Sequence, residues 1–181
     1  MKFFLSLAVM LLLAGLFLFV FKKSPQSAVD QSAPDDALLL AYPLRHGGWT
    51  QVRRDIAQLP KSPEDRARLA VRELSVQDSD PALFTPLPET FPLRTVYRDG
   101  ARLYLDFSQD AVRELSGGSE DEIIALESLK RTLAWNIPAV DHLQILIEGR
   151  PRKTLGVEGE DAGHIDITSP IRLRPPGGEI Q

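Results

Sequence analysis

The chain opens on an apolar stretch and then changes character. Phe3–Phe21 has a single polar interruption, Ser6. As a helix it would run roughly 28 Å, about the hydrocarbon thickness of a bilayer. Lys2 precedes it, and Lys22 and Lys23 follow. The run is longer than a usual signal-peptide core, and Gln26-Ser27-Ala28 beside Pro25 is a poor cleavage site. Residues 1–23 therefore read as one retained transmembrane helix. Residues 24–36 (SPQSAVDQSAPDD) are small, polar and proline-containing, and read as a flexible linker.

From Ala37 the spacing alternates between strand and helix periods. Leu38–Tyr42 is an apolar run of strand length, His46-Gly47-Gly48 a turn, and Trp49–Leu59 a second strand in preference to a short helix. Ser62-Pro63-Glu64-Asp65 is a helix start, with Ala67, Ala70, Val71 and Leu74 on one face. Asp80–Pro92 is a proline-rich crossing from which Leu83, Phe84, Leu87 and Phe91 plug into the core. Leu93–Ser108 is a hairpin closed by a type I′ Asp99-Gly100 turn, placing Val96 opposite Leu103 and Tyr97 opposite Arg102. Leu103, Leu105 and Phe107 share one face, Tyr104 and Asp106 the other. Ser108 caps a short helix through Leu115, ended by Gly117-Gly118.

The strongest signal is Ser119–Gly149. Ser119 and Glu122 form a capping box with acids in the first turn, and Ile123, Leu126, Leu129 and Leu133 make an apolar stripe flanked by Ile124. Glu127 and Arg131 can pair at i,i+4, and Lys130 and Arg131 suit the negative helix end. Asn136 reads as a left-handed stop, with Pro138 excluding further helix. Leu143, Ile145 and Ile147 then alternate with His142, Gln144 and Glu148, and an apolar Leu146 marks a strand covered on both faces. A short edge strand returns through Lys153–Val157, another is expected at His164–Ile167, and residues 173–181 read as a disordered tail. The fold class is α+β: a small mixed or antiparallel sheet against two main helices, preceded by one transmembrane helix.

The 181-residue length allows one modest domain with appendages. A net charge of −4 argues against nucleic acid as a partner. The absence of cysteine excludes disulfides, thiolate chemistry and a lipid-attachment cysteine. No serine lies in a nucleophile-elbow or S-x-x-K setting. His164 and Asp166 lack a third ligand at metal spacing, so the bland reading is a wet strand face. His142 reads as a strand-edge polar group, His46 as an exposed turn residue, and Asp78 and Asp80 as turn residues. Three acids after Gly117-Gly118-Ser119 would repel a phosphate. Arg45, Arg53, Arg54, Arg66, Arg68 and Arg72 give the first half a basic cast, by default a solvated face. No catalytic, cofactor-binding or metal residue is assigned, and no cofactor is expected.

One ordered set of motifs carries a resemblance. Phe84-Thr85-Pro86-Leu87-Pro88 leads into the Val96–Asp106 hairpin, a helix ending Ser128–Leu133, then Val140–Gly149 and Gly163–Ile171. Residues 37–172 thus resemble a single GerMN domain. The resemblance implies an α+β module similar to ring-building domains, on a membrane-anchored extracytoplasmic protein. It implies protein–protein contact at the bacterial cell envelope, with other envelope proteins or further copies as partners, and no catalytic residues. The competing readings are a cell-wall hydrolase using Asp106, His164 and Asp166, or a binder of anionic lipid or a small ligand through the arginines.

Overall fold

A computed structural model describes residues 36–115, 119–155 and 166–173. The expected transmembrane helix, the linker up to Asp35, Gly117-Gly118, His164 and residues 174–181 lie outside them. The chain divides into units 1–31 and 32–181, and every described residue belongs to the second. Among the described residues no helix is long and apolar enough to cross a membrane.

The architecture is α+β. Strands β1 (Ala37–Pro43) and β2 (Trp49–Asp55) form an antiparallel pair, followed by helix α1 (Pro63–Leu74). Strands β3 (Leu93–Asp99) and β4 (Arg102–Phe107), short helix α2 (Gln109–Glu114), helix α3 (Ser119–Asn136) and β5 (His142–Ile147) come next. Two-residue strands β6 (Arg150–Pro151) and β7 (Ile171–Arg172) complete it. The larger sheet runs β3-β4-β5-β6, with β4 and β5 parallel and β7 on β5 beside β6. It is mixed because α3 serves as the crossover that a parallel pair requires.

Local chemistry explains most boundaries. The Ser62 hydroxyl accepts Asp65 N–H at 3.0 Å, with Pro63 in the first turn, and Ala67, Ala70, Val71 and Leu74 are all buried. Leu103, Leu105, Phe107, Leu143 and Ile145 face one core with Leu126, Leu129 and Leu133. β5 is covered on both faces, and Leu146 and Gln144 are buried there beside Leu143, Ile145 and Ile147. The Gln144 amide donates to Ile167 O on the segment that leads into β7.

Several expectations are corrected. The β3–β4 loop is Gly100-Ala101, so Tyr97 pairs with Tyr104 and Val96 with Leu105. Only Gly100 has positive φ there (+57°), the type II′ rather than the I′ pattern. The two-residue slip preserves every side chain's face and stacks Tyr97 on Tyr104 at 4.5 Å. The loop with positive φ at both positions is Glu148-Gly149 (52° and 77°), which joins β5 to β6.

Ile123 is 42% exposed, and the buried stripe of α3 runs instead through Glu122, Ala125, Leu126, Leu129, Thr132, Leu133 and Asn136. Asn136 is the last helical residue, with no positive φ. The helix outruns Lys130 and Arg131, and its final carbonyl is met by Arg66, whose Nη1 donates to Asn136 O at 3.1 Å. The Glu127–Arg131 pair forms at 3.4 Å, joined by Lys130 at 2.7 Å. Phe84 stays 36% exposed, whereas Leu83, Leu87 and Phe91 are buried. Asp166 and Ile167 form no strand, and neither do residues 152–155. The returning strand is the two-residue β6, with Val157 outside the described residues, and the later short strand is β7; Leu173 beyond it is buried, its N–H donating to Asp141 O.

Candidate interaction surface

Several buried polar side chains serve the fold's own backbone. Asn136 Oδ1 accepts Leu39 N–H at 3.0 Å while its Nδ2 donates to Leu39 O at 2.7 Å. One turn earlier, Thr132 Oγ1 accepts Ala41 N–H at 2.9 Å. These i,i+4 residues close the β1 edge that β2 leaves open. The Tyr42 hydroxyl donates to the carbonyls of Val76 and Glu73, just past and within the last turn of α1, at 3.0 and 3.2 Å. Burial holds its pKa above the ordinary phenol value.

A second group surrounds the β5–β6 turn. Asp106 is buried and accepts Gly149 N–H at 2.7 Å. Arg94 reaches Glu148 at 2.7 Å and Asp106 at 3.5 Å. Glu148 also accepts Gln109 N–H, the role expected of Ser108, whose hydroxyl makes no cap bond. Asp106, raised above as a candidate acid, is therefore a turn clamp.

The other candidates fall apart spatially. Asp166 is exposed and closes a small turn, and its bonds from the Thr168 hydroxyl and N–H hold its carboxyl below the usual range. His142 Nδ1 meets Asp141 at 2.5 Å on the domain rim, and His46 is exposed in its turn. Asp78 and Asp80 accept Asp80 and Ala82 N–H, as turn residues do. No trio of metal-ligating side chains clusters among the described residues.

The arginines are mostly engaged. Arg53 pairs with Asp36 and Asp55, Arg54 with Asp78, and Arg45 donates to Pro81 O while lying over the Phe84 ring. Arg66 ties Pro60 O to Asn136 O. Arg68 and Arg72 project from the exposed side of α1, Arg72 alongside Glu73.

Those two arginines rim a groove of ≈ 880 Å³. One wall is α1 and its end, through Val71, Ser75 and Val76. The other is the proline-rich segment, through Phe84, Pro86, Leu87 and Pro88. Phe91 and Leu115 lie at its base, and Val76 and Phe84 are two of the exposed large apolar side chains of the domain. Its cations, Arg45, Arg68 and Arg72, come from α1 and the β1–β2 turn. Its acids, Glu89, Glu114 and Asp121, come from the proline segment, α2 and α3. Sequence reading missed this groove because Arg45, Glu114, Leu115 and Asp121 reach it from elements distant in the chain. The available signal was Arg68 and Arg72 at i,i+4 beside prolines that leave Phe84 out of the core. The only other exposed aromatic among the described residues is Tyr97, on edge strand β3.

Comparison with known proteins gives this architecture a family. The tandem GerMN domains of the sporulation protein GerM from Bacillus subtilis match at 20% identity and TM-score 0.58, over 75% of this chain and 45% of that one. The first GerMN domain alone matches at 21% and TM-score 0.55, over 72% and 92%. A Clostridium perfringens protein provisionally described as a lipoprotein matches at 18% and TM-score 0.52, over 77% and 91%. At these identities the likeness is one of fold. No curated protein matches the chain. The Germane family, described as sporulation and spore germination, matches across residues 40–153. The chain belongs to this family and carries one GerMN-like domain.

Proposed function

We propose that this chain is a non-catalytic module of the bacterial cell envelope, anchored by Phe3–Phe21 and acting outside the cytoplasm through contact with other proteins. The observation that carries this reading is where the buried polar groups go. Asn136, Thr132, Gln144, Asp106 and Tyr42 all satisfy backbone groups. The groove beside α1 mixes apolar side chains with charged ones of both signs, a composition that suits a docking surface. The membrane-sized apolar run supports tethering, as does a fold neighbour described as a lipoprotein. Assembly into an oligomer similar to that of ring-building domains is the finer version of the same proposal. The lipid-binding alternative is weakened because Arg53, Arg54 and Arg66 already have internal partners.

Chemical crosslinking of native membranes, with capture through a tag on the full chain, tests the contact claim. Covalent complexes larger than the chain are expected. Monomer alone, at crosslinker doses that trap other envelope complexes, contradicts it.

A further inference from the structure

We propose that the row of Arg102, His142 and Arg172, at one end of the larger sheet, binds a phosphate group. The site does not depend on the contact-module reading, and either can fail alone.

Strand register builds the row. Arg102 of β4 lies opposite His142 of β5, and His142 lies opposite Arg172 of β7. One step along, Leu103, Leu143 and Ile171 are opposed in the same way and pack into the core. Alternation therefore turns the basic row to the other face of the sheet. Both arginines are exposed, and the His142 side chain is 33% exposed. Strands about 4.8 Å apart set the two arginine backbones about 10 Å apart, with His142 between them and two long side chains that can reach over it.

The row lacks counter-ions of its own. Like charges opposite one another across strands are unfavourable. Among the described residues neither arginine has an ion pair. Arg102 Nη1 donates to Tyr104 Oη at 3.3 Å, which leaves the phenol hydrogen to donate elsewhere on the same face. Two acids border the row. Asp141 engages His142 Nδ1 and leaves Nε2 for a ligand, and Asp99 faces Arg102 from β3 without pairing with it.

The donors select the ligand. Arginine forks match carboxylate and phosphate, and both guanidiniums stay charged at any working pH. One fork matches a planar carboxylate. Donors rising from three neighbouring strands match the several oxygens of a tetrahedral phosphate, carried by a lipid headgroup or by a soluble molecule.

Thermal melting of the full-length chain in phosphate-free dodecyl maltoside micelles tests this. Inorganic phosphate, exchanged for chloride at constant ionic strength, should raise the melting temperature saturably, by about 3–6 °C at ten times its Kd. Acetate should have little effect. Arg102→Gln with Arg172→Gln should raise the Kd at least tenfold, whereas Arg68→Gln with Arg72→Gln should leave it unchanged. All four side chains are exposed, so both variants should melt near the parent in chloride. Arg102→Lys with Arg172→Lys keeps the charges, loses the forks and should still raise the Kd, which serves as the test if the glutamine pair fails to fold. Glycerol phosphate and dihexanoyl phosphatidylglycerol identify the source. Binding of the lipid at least tenfold tighter marks a headgroup, equal binding marks a soluble phosphate, and the proposal holds in both cases. No rise with phosphate, a rise that never saturates, an equal rise with acetate, or one undiminished in the Arg102 and Arg172 variants overturns it.

Discussion

The side-chain amide of Asn136 pairs with both backbone groups of Leu39, accepting at 3.0 Å and donating at 2.7 Å, 97 residues apart in the chain. In effect the end of α3 acts as one rung of a strand beside β1. A central β1, buried along its whole length, could not otherwise leave that edge unpaired. The same Nδ2 also donates to Thr132 O, so the amide is fully used on its own helix and on the strand.

Asn136→Ala strips partners from several buried backbone groups at once. At ~1–3 kcal/mol for each orphan that water does not reach, a loss of about 2–4 kcal/mol is expected in urea unfolding. Asn136→Asp should cost more, because a carboxylate cannot donate to Leu39 O or Thr132 O. Thr132→Ser should stay near the parent, and Thr132→Val should lose about 1–2 kcal/mol through the Ala41 amide.

Tyr42 gives the fold an alkaline limit. Only the neutral phenol donates to Val76 O and Glu73 O, and burial raises its pKa. The unfolded phenol therefore ionises first. Its stability contribution is complete below about pH 10 and falls as pH rises from there through the higher folded value. Tyr42→Phe should cost about 1 kcal/mol at neutral pH and flatten the loss of stability above pH ~10, measured by urea titration across pH.

The β5–β6 turn requires a left-handed pair. Gly149 has φ +77° and open space around its missing Cβ, so Gly149→Ala is opposed by backbone strain rather than by a clash. A cost of about 1–2 kcal/mol is expected. Glu148→Asn should keep the turn, since asparagine tolerates φ near +52°. The shorter side chain should lose its grip on Gln109 N–H, read as faster hydrogen exchange at the start of α2.

Arg66 is the cation at the end of α3. Arg66→Met keeps the aliphatic stem but releases Asn136 O and Pro60 O, with an expected loss of about 0.5–2 kcal/mol. Arg66→Lys should recover only part of it, since one ammonium replaces a fork that reaches both carbonyls.

Much of the fold was legible because its signals are local. The Ser62-Pro63 helix start, the four-residue α1 stripe and the alternation of β5 each need only a short window. What escaped depends on distant partners. Asn136 reads as a stop residue until β1 is beside it, and Glu148 as a wet strand residue until α2 presents a bare amide. The hairpin slipped because Asp99-Gly100 and Gly100-Ala101 are both allowed turns, and the Tyr97–Tyr104 stack accompanies the second. Ile123 sits at stripe spacing, but burial followed Glu122, Ala125 and Leu126. The groove was illegible because its acids and its cations come from elements that only the tertiary fold brings together.

The proposed function requires a tethered domain that works outside the cytoplasm. The chain has no cysteine, so Arg113→Cys, at a side chain 73% exposed on α2, creates a single label site. Intact cells with a permeabilised outer layer but a sealed inner membrane should react with a membrane-impermeant maleimide, and the labelled chain should sediment with membranes. Labelling that occurs only after the inner membrane is lysed, or a labelled chain recovered wholly in the soluble fraction, contradicts it.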